Sequence, residues 1–302
     1  MAYFQGVTFG GSGSPFQLRG DSGSSWSGLD MPSVRTGDSD SPRTHGQFIG
    51  LDLLSSRQIG ITIDVGPPYS SYSTLKGAFA ALRTALSPSG VTENPFFFQL
   101  SSTSPQLVSM VRPRKNNWNV DIPYVAGLAQ TIPIQFNATD PSLYAAGTLA
   151  PSVGAPAPVT GFSFPIFSGT NLSFGSGVEY GLITATNSGD LPCYPLITFT
   201  GPCTTPTLAN ASISGIPTIA FGFALNAGDV LVVNTDPKYR YASYTAAGSG
   251  GAASRLYTLV QGSTWWALPP ATASTLQFST QDVVPVTGTC TVAYTSAYSA
   301  AN

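Results

Sequence analysis

Gln58-Ile-Gly-Ile-Thr-Ile-Asp-Val65 is the stretch that decides the fold class. Ile59, Ile61, Ile63 and Val65 recur at every second position, and in an extended chain successive side chains point to opposite faces, so all four share one. On a helix the same residues would scatter over both sides. The stretch predicts a strand with one buried face, ended by Pro67-Pro68, because proline cannot donate to a ladder. Upstream, Phe48–Asp52 is predicted to pair with it.

The same alternation extends outward. Short strands are predicted at Tyr3–Phe9 and Phe16–Arg19, with Asp21–Gly28 and Thr36–Gly46 as long Gly/Ser/Asp loops. Downstream, Leu75, Phe79, Leu82 and Leu86 recur at helical spacing. Ser73 or Thr74 is in place to cap that helix, and Pro88 with Gly90 stops it. Strands resume at Phe96–Leu100, Leu107–Arg112 and Thr131–Asn137. Ala145–Thr160 is rich in Ala, Gly and Pro, carries no charge and has no period, so it reads as an extended connector. Beyond it, short strands with regular turn signals predict an antiparallel sandwich: Val178–Thr186, Tyr194–Thr200, Thr207–Asn210, Ile216–Phe223, Val230–Asn234, Lys238–Tyr244, Leu256–Val260, Trp265–Leu268, Thr275–Phe278 and Thr289–Tyr294. The expected division is 1–145, a connector at 146–160, and 161–302. The expected fold class is mainly β with one main helix near 74–86.

Composition narrows the function. Charged residues are 9% of the 302, against roughly 25% in an ordinary soluble domain. With 32 Gly and 25 Pro the chain is too turn-rich to be helical, while 42% apolar residues are too many for disorder. A net charge of −2 gives no basic excess for nucleic acid. The weakly charged surface suits a protein that buries much of itself against partners. The start Met1-Ala-Tyr-Phe-Gln has neither a basic n-region nor an apolar h-region, so no signal peptide is expected. No run reaches the roughly 18 apolar residues of a membrane helix, so no membrane insertion is expected.

The chemistry-bearing residues do not assemble into a reaction centre. A Ser-His-Asp or Cys-His mechanism would need His45, the single histidine, which sits in a Ser/Asp/Gly loop without a nucleophile elbow. Cys193, Cys203 and Cys290 are an odd number in a long chain; they read as small buried apolar residues in a reducing compartment, with a Cys193–Cys203 bridge as the alternative. Asp52 with Asp64, or Asp229 with Asp236, are not made an acid–base pair by spacing alone. Asp38 and Asp40 lack the ligand series and closing Glu of a calcium loop. No metal, no cofactor and no catalysis is expected. Arg112-Pro-Arg-Lys115, with Trp118 nearby, is the densest basic cluster; it is too small a footprint for nucleic acid and fits a solvated strand end or a subunit ion pair. In Trp265-Trp266 one ring is expected in the core and the other at the surface, half-covered or packed on a partner.

Asn187-Ser-Gly-Asp-Leu-Pro-Cys-Tyr-Pro-Leu-Ile-Thr-Phe-Thr-Gly-Pro202 resembles the distal tail proteins of siphophages, especially those infecting actinobacteria. The motif residues are Gly189, Asp190, Pro195, Gly201 and Pro202. Leu225–Thr235 follows with Gly228 and Asp229, then Gly262–Pro270 with Trp265 and Trp266, then Thr275–Phe278. Leu51–Asp64 with Arg57, the helix at 74–86, Val111–Arg114 and Ile134–Tyr144 are similar more loosely. Pro269-Pro270 stands where the family has Pro-Gly, and the loop after Tyr244 is longer.

The resemblance implies an N-terminal ring-forming domain related in fold to tail-tube proteins, and a C-terminal galectin-like antiparallel β-sandwich. It implies a structural virion protein of the phage tail tip: a homohexameric ring, assembled in the host cytoplasm, that joins the tail tube to tape-measure, hub and adhesion proteins and lets DNA pass without specific binding. Arg112, Arg114, Lys115 and Trp118, the helix, the first-domain sheet edges and the loop Arg114–Leu128 are the expected ring interface, with Asp38, Asp40 or Asp64 of a neighbour as ionic partners. The alternative is a non-catalytic carbohydrate-binding module. It is disfavoured because the second half has no His, one Glu (Glu179) and only Arg240 and Arg255 as arginines.

Overall fold

The computed structural model describes residues 1–10, 14, 16–18, 26–65, 72–88, 90–116, 130–157, 162–167, 170–174, 180–255, 258–282 and 284–301. The chain forms two compact units. Met1–Ala146 makes the first together with Tyr298–Asn302, and Gly147–Ala297 makes the second. The last residues therefore lie with the first unit, not with the second as the division at 161–302 would have it.

The first unit is built on seven strands: β1 (Ala2–Phe4), β2 (Val7–Phe9), β3 (Phe16–Leu18), β4 (Arg57–Val65), β5 (Asn94–Phe98), β6 (Leu107–Asn116) and β7 (Gln130–Ala138). They pair in the order β5-β1-β2-β3-β4-β7-β6, and β6 pairs back to β5, which closes a barrel. Closure pairs β5 with Leu107–Val111 only, so among the described residues Arg112–Asn116 of β6 has β7 on one side and an open edge on the other. Ile59, Ile61, Ile63 and Val65 of β4 face inward, in register with Phe136, Ile134, Ile132 and Gln130 of β7. Phe4, Phe96 and Phe136 meet there, with Phe96 stacked on Phe136 at 4.9 Å between ring centres. Helix α1 (Tyr72–Ala85) adds Phe79, Leu82 and Ala85 to the same core, with Leu86 just beyond its end. It begins before the expected Ser73 or Thr74 cap.

Two expectations fail here for physical reasons. Tyr3–Phe9 is not one strand, because Gln5 (φ 43°) and Gly6 (φ 84°) make a two-residue turn that folds β1 onto β2. Positive φ at both turn residues matches the twist of the flanking strands. Phe48–Asp52 does not pair with β4, whose partners are β3, β7 and the short strand Trp26–Ser27. The sole parallel pairing among the described residues is Phe9 with Phe16, between β2 and β3.

The second unit contains β8 (Ser152–Gly154), β9 (Gly181–Asn187), β10 (Leu196–Thr200), β11 (Thr207–Asn210), β12 (Thr218–Ala220), β13 (Val230–Asn234), β14 (Tyr241–Thr245), β15 (Ala252–Ser254), β16 (Thr272–Ser279) and β17 (Thr289–Ala293). One antiparallel sheet runs β8-β17-β10-β13-β14-β15 and the other β9-β16-β11-β12. Phe199 of the first and Phe278 of the second meet at 5.8 Å between ring centres, so the two sheets pack face to face as a sandwich. A separate hairpin pairs Phe162–Phe167 with Thr170–Phe174. The expected connector is not all connector: Ser152–Gly154 is an edge strand against β17, despite a side-chain pattern that announces nothing. Trp265–Leu268 is not a strand but an isolated bridge, with Leu268 paired to Cys193.

Candidate assembly surfaces

Between Trp26–Ser27 and β4 the chain leaves the barrel as an arm. Val34–Arg35 pairs with Leu53–Leu54, and Ser39–Asp40 with Gln47–Phe48. The two halves approach so closely at Gly37 and Gly50 that a Cβ on Gly50 would stand 2.1 Å from the Gly37 carbonyl oxygen. Asp38 accepts from the Gly50 amide at 2.8 Å, and Asp40 from the Gln47 side chain at 2.9 Å. Every residue from 33 to 53 except 41 and 50 is exposed. The arm nevertheless carries Val34, Phe48, Ile49, Leu51 and Leu53, with Ile49 at 96% exposure. Exposed apolar side chains concentrated on one projection are the ordinary mark of a contact surface. The sequence signal was the run from Phe48 to Leu54, apolar but without a strand or helix period.

The basic cluster is divided. β6 and β7 slip register between Pro113 and Lys115, so Arg114 is the extra residue of a bulge. Arg114 and Lys115 are exposed, whereas Arg112 is half-buried with its Nε 3.8 Å from Glu93 of the same chain. Arg112 thus has an internal acidic neighbour. Of the expected acidic partners, Asp64 accepts from the Thr131 hydroxyl at 2.5 Å, and Asp38 and Asp40 are used within the arm. Trp118 and most of the loop Arg114–Leu128 lie outside the described residues.

Arg57 is a residue whose role the sequence did not announce. It starts β4 and is 1% exposed. Its guanidinium donates to the carbonyl oxygens of Pro141 (2.7 Å), Gly28 (2.8 Å) and Asp30 (2.7 Å), and to that of Ser299. A buried cation of this kind is tolerated because its donors are spent on carbonyl dipoles. It ties the chain's final segment to the first unit.

The motif residues fall at the two opposite ends of β10 and β13. At one end, Gly189 accepts from the Ala271 amide at 2.8 Å, and a Cβ there would stand 1.8 Å from the Ala297 carbonyl oxygen. Asp190 is exposed in the same turn, and Pro195 accepts from the Thr235 hydroxyl at 2.8 Å. Trp266 is buried there, while Trp265 is half-exposed beneath Arg240, 5.3 Å from its ring centre. At the other end lie Gly201, the cis Gly201–Pro202 bond, Gly228 (φ 84°) and Asp229. Asp229 accepts from the amides of Asn226 and Ala247, both at 2.8 Å, and from the Tyr244 hydroxyl at 2.9 Å. The two amide bonds foremost hold its carboxyl below the usual carboxylate range. The contacts of Gly189, Pro195 and Asp229 fix the turns in which they lie.

His45 is exposed at the arm's tip. Cys193, Cys203 and Cys290 are free and buried, so no Cys193–Cys203 bridge forms. Burial pushes the thiols of Cys193 and Cys203 up to about 12, and that of Cys290 up as well. Among the described residues no cluster of His, Cys, Asp and Glu can hold a metal ion, and no helix is long and apolar enough to cross a membrane.

No protein-family model matches the chain, and no curated protein matches it. Solved structures do. A chain of the phage P2 baseplate in its activated conformation with Ca is 9% identical, with 93% of this chain and 91% of that chain covered and a TM-score of 0.42. The Dit protein of phage SPP1, described as a paradigm of the hub adsorption apparatus in phages infecting Gram-positive bacteria, is 15% identical, with 93% of each chain covered and a TM-score of 0.59. Across 93% of its length, through both units, the chain has the fold of the phage hub protein Dit.

Proposed function

We propose that the chain is a structural protein at the distal end of a long non-contractile phage tail. The observation that carries this reading is the fold likeness to a hub protein over nearly the whole of both chains. Copies of the first unit close into a ring, six being the expected number, and the same two patches repeat around the axis. The arm supplies one patch, since its apolar side chains, Phe48, Ile49 and Leu51 above all, stand largely in solvent, and the exposed Arg114 and Lys115 flank the ring contact. The ring joins the tail tube and tape-measure protein to the adhesion apparatus and lets DNA pass without binding it specifically. The second unit faces the adhesion components. The protein performs no catalysis and takes no cofactor; its place is the virion, after assembly in the host cytoplasm.

Sedimentation and negative-stain imaging, with and without tube and hub proteins, test this. A closed ring in either preparation is the expected result. A chain that stays monomeric in the presence of both partners overturns it.

A further inference from the structure

Two sheets have four outer edges; in the second unit two take hydrogen bonds from neighbouring segments and a third, β8, is closely approached by the start of β9. On β9 the Thr186 amide donates to the Tyr294 hydroxyl at 2.8 Å, and just beyond the strand the Ser188 amide donates to the Ser296 hydroxyl at 3.0 Å. The start of β9 lies against β8, where a Cβ on Gly181 would stand 2.8 Å from the Gly154 carbonyl oxygen. On β12 the amides of Val260 and Thr264 donate to Ala220 and Thr218 at 2.9 and 2.8 Å, and the Ala220 amide donates to the Ser263 hydroxyl at 3.2 Å.

β15 is different. Tyr244 stands opposite Ala253, and the Arg255 amide donates to Ala242 at 2.9 Å. In an antiparallel ladder the residues facing the neighbour alternate with those facing away. Ala253 and Arg255 therefore face β14, and the N–H and C=O groups of Ala252 and Ser254 point outward. Among the described residues nothing pairs with them. All three residues of β15 are exposed, and none is charged or proline, so the edge lacks the usual protections apart from being short. Beside it, a depression of about 460 Å³ is lined by Val232, Tyr241, Ser243, Ala252 and Ser254 among others, with no charged residue. Val232, Ser243 and Ser254 stand in one row across β13, β14 and β15.

We infer that β15 is a strand-addition site, where an extended segment of a partner protein pairs with Ala252 and Ser254 and sets an uncharged side chain over the depression. The outward groups repeat at about 6.8 Å, the two-residue step of a strand, which a second strand matches. A side chain directly opposite Ser254 prolongs the Val232–Ser243–Ser254 row, and the uncharged lining selects a small or apolar one there. In the hub reading, on which only the partner's identity rests, that segment belongs to an adhesion component.

The probe is a library of displayed ten-residue peptides selected on the isolated full-length chain. Selected peptides are expected to be β-forming and uncharged at alternate positions, and to slow amide exchange at Ala252 and Ser254. Ala252→Pro with Ser254→Pro removes the outward N–H groups without touching the donors that face β14, and should weaken binding at least tenfold. Should the prolines unfold the unit, Ala252→Lys with Ser254→Lys keeps the backbone and charges the edge, with the same loss expected. Failure to select any peptide, or equal binding to wild type and variants, overturns the inference. So does binding of a neutral oligosaccharide that Tyr241→Ala abolishes and the proline pair leaves intact, which would assign the depression to a sugar. None of these readings requires a ring, so failure here and failure of the hub reading are separate results.

Discussion

Asp229 is 2% exposed yet ionised, because its two oxygens receive the amides of Asn226 and Ala247, the Asn226 side chain and the Tyr244 hydroxyl. The folded-state pKa lies below the unfolded value of 3.8. The resulting stability is present above the unfolded value and is lost as pH falls through the lowered one. Thermal unfolding followed from neutral pH to about pH 3 should therefore show the second unit weakening in acid. Asp229→Asn should lower the midpoint at neutral pH and flatten that acid limb. Arg57 makes a parallel case with the opposite charge. Arg57→Met leaves the partly buried carbonyl oxygens of Gly28, Asp30, Pro141 and Ser299 without their donor, at up to ~1–3 kcal/mol for each one that water cannot reach. The first unit should lose about 3 kcal/mol or more in urea unfolding.

At the scale of elements, the arm and the barrel obey different rules. The barrel strands bury one face, so a polar residue on that face is costly. The arm buries neither, and an isolated two-stranded ribbon gains little by itself. Ile49→Asp with Leu51→Asp should leave unfolding within about 0.5 kcal/mol of wild type, since both side chains already stand in water. The same pair should abolish self-association in sedimentation, and unchanged association would remove the arm from the ring interface. The turn at Gly189 is the contrary case, an element with no room. Gly189→Ala forces a Cβ onto the Ala297 carbonyl, and the second unit should unfold at a lower temperature in calorimetry.

For the whole molecule, the second unit is an insertion in the first. The chain leaves after Ala146 and returns at Tyr298, which packs on the first core; the Ala301 amide then donates to Leu29 at 2.8 Å. A chain ended after Ala297 should consequently lose stability in the first unit rather than in the second. Two-transition urea unfolding, with one probe in each unit, checks this. A drop confined to the second unit would show that the returning segment does not support the barrel.

Legible from the residues alone were the features that repeat along the chain. Alternation at Ile59–Val65 and at Ile132–Phe136, helical spacing at Phe79–Leu86, and turn residues between short strands each have a local cause, because strand and helix periods are fixed by backbone geometry. Scarce charge and the absence of a local catalytic pattern came from the residues too. The rest came from long-range folding: closure of the barrel between β5 and β6, the placing of Tyr298–Ala301 with the first unit, the arm in place of a strand beside β4, and the open edge at β15. Each depends on pairing between segments far apart in the chain. Backbone donors and acceptors are the same at every residue but proline, so a strand's neighbour leaves little local mark. Arg57 shows the same limit, since a lone arginine at the start of a strand looks like a surface residue until the carbonyls around it are known.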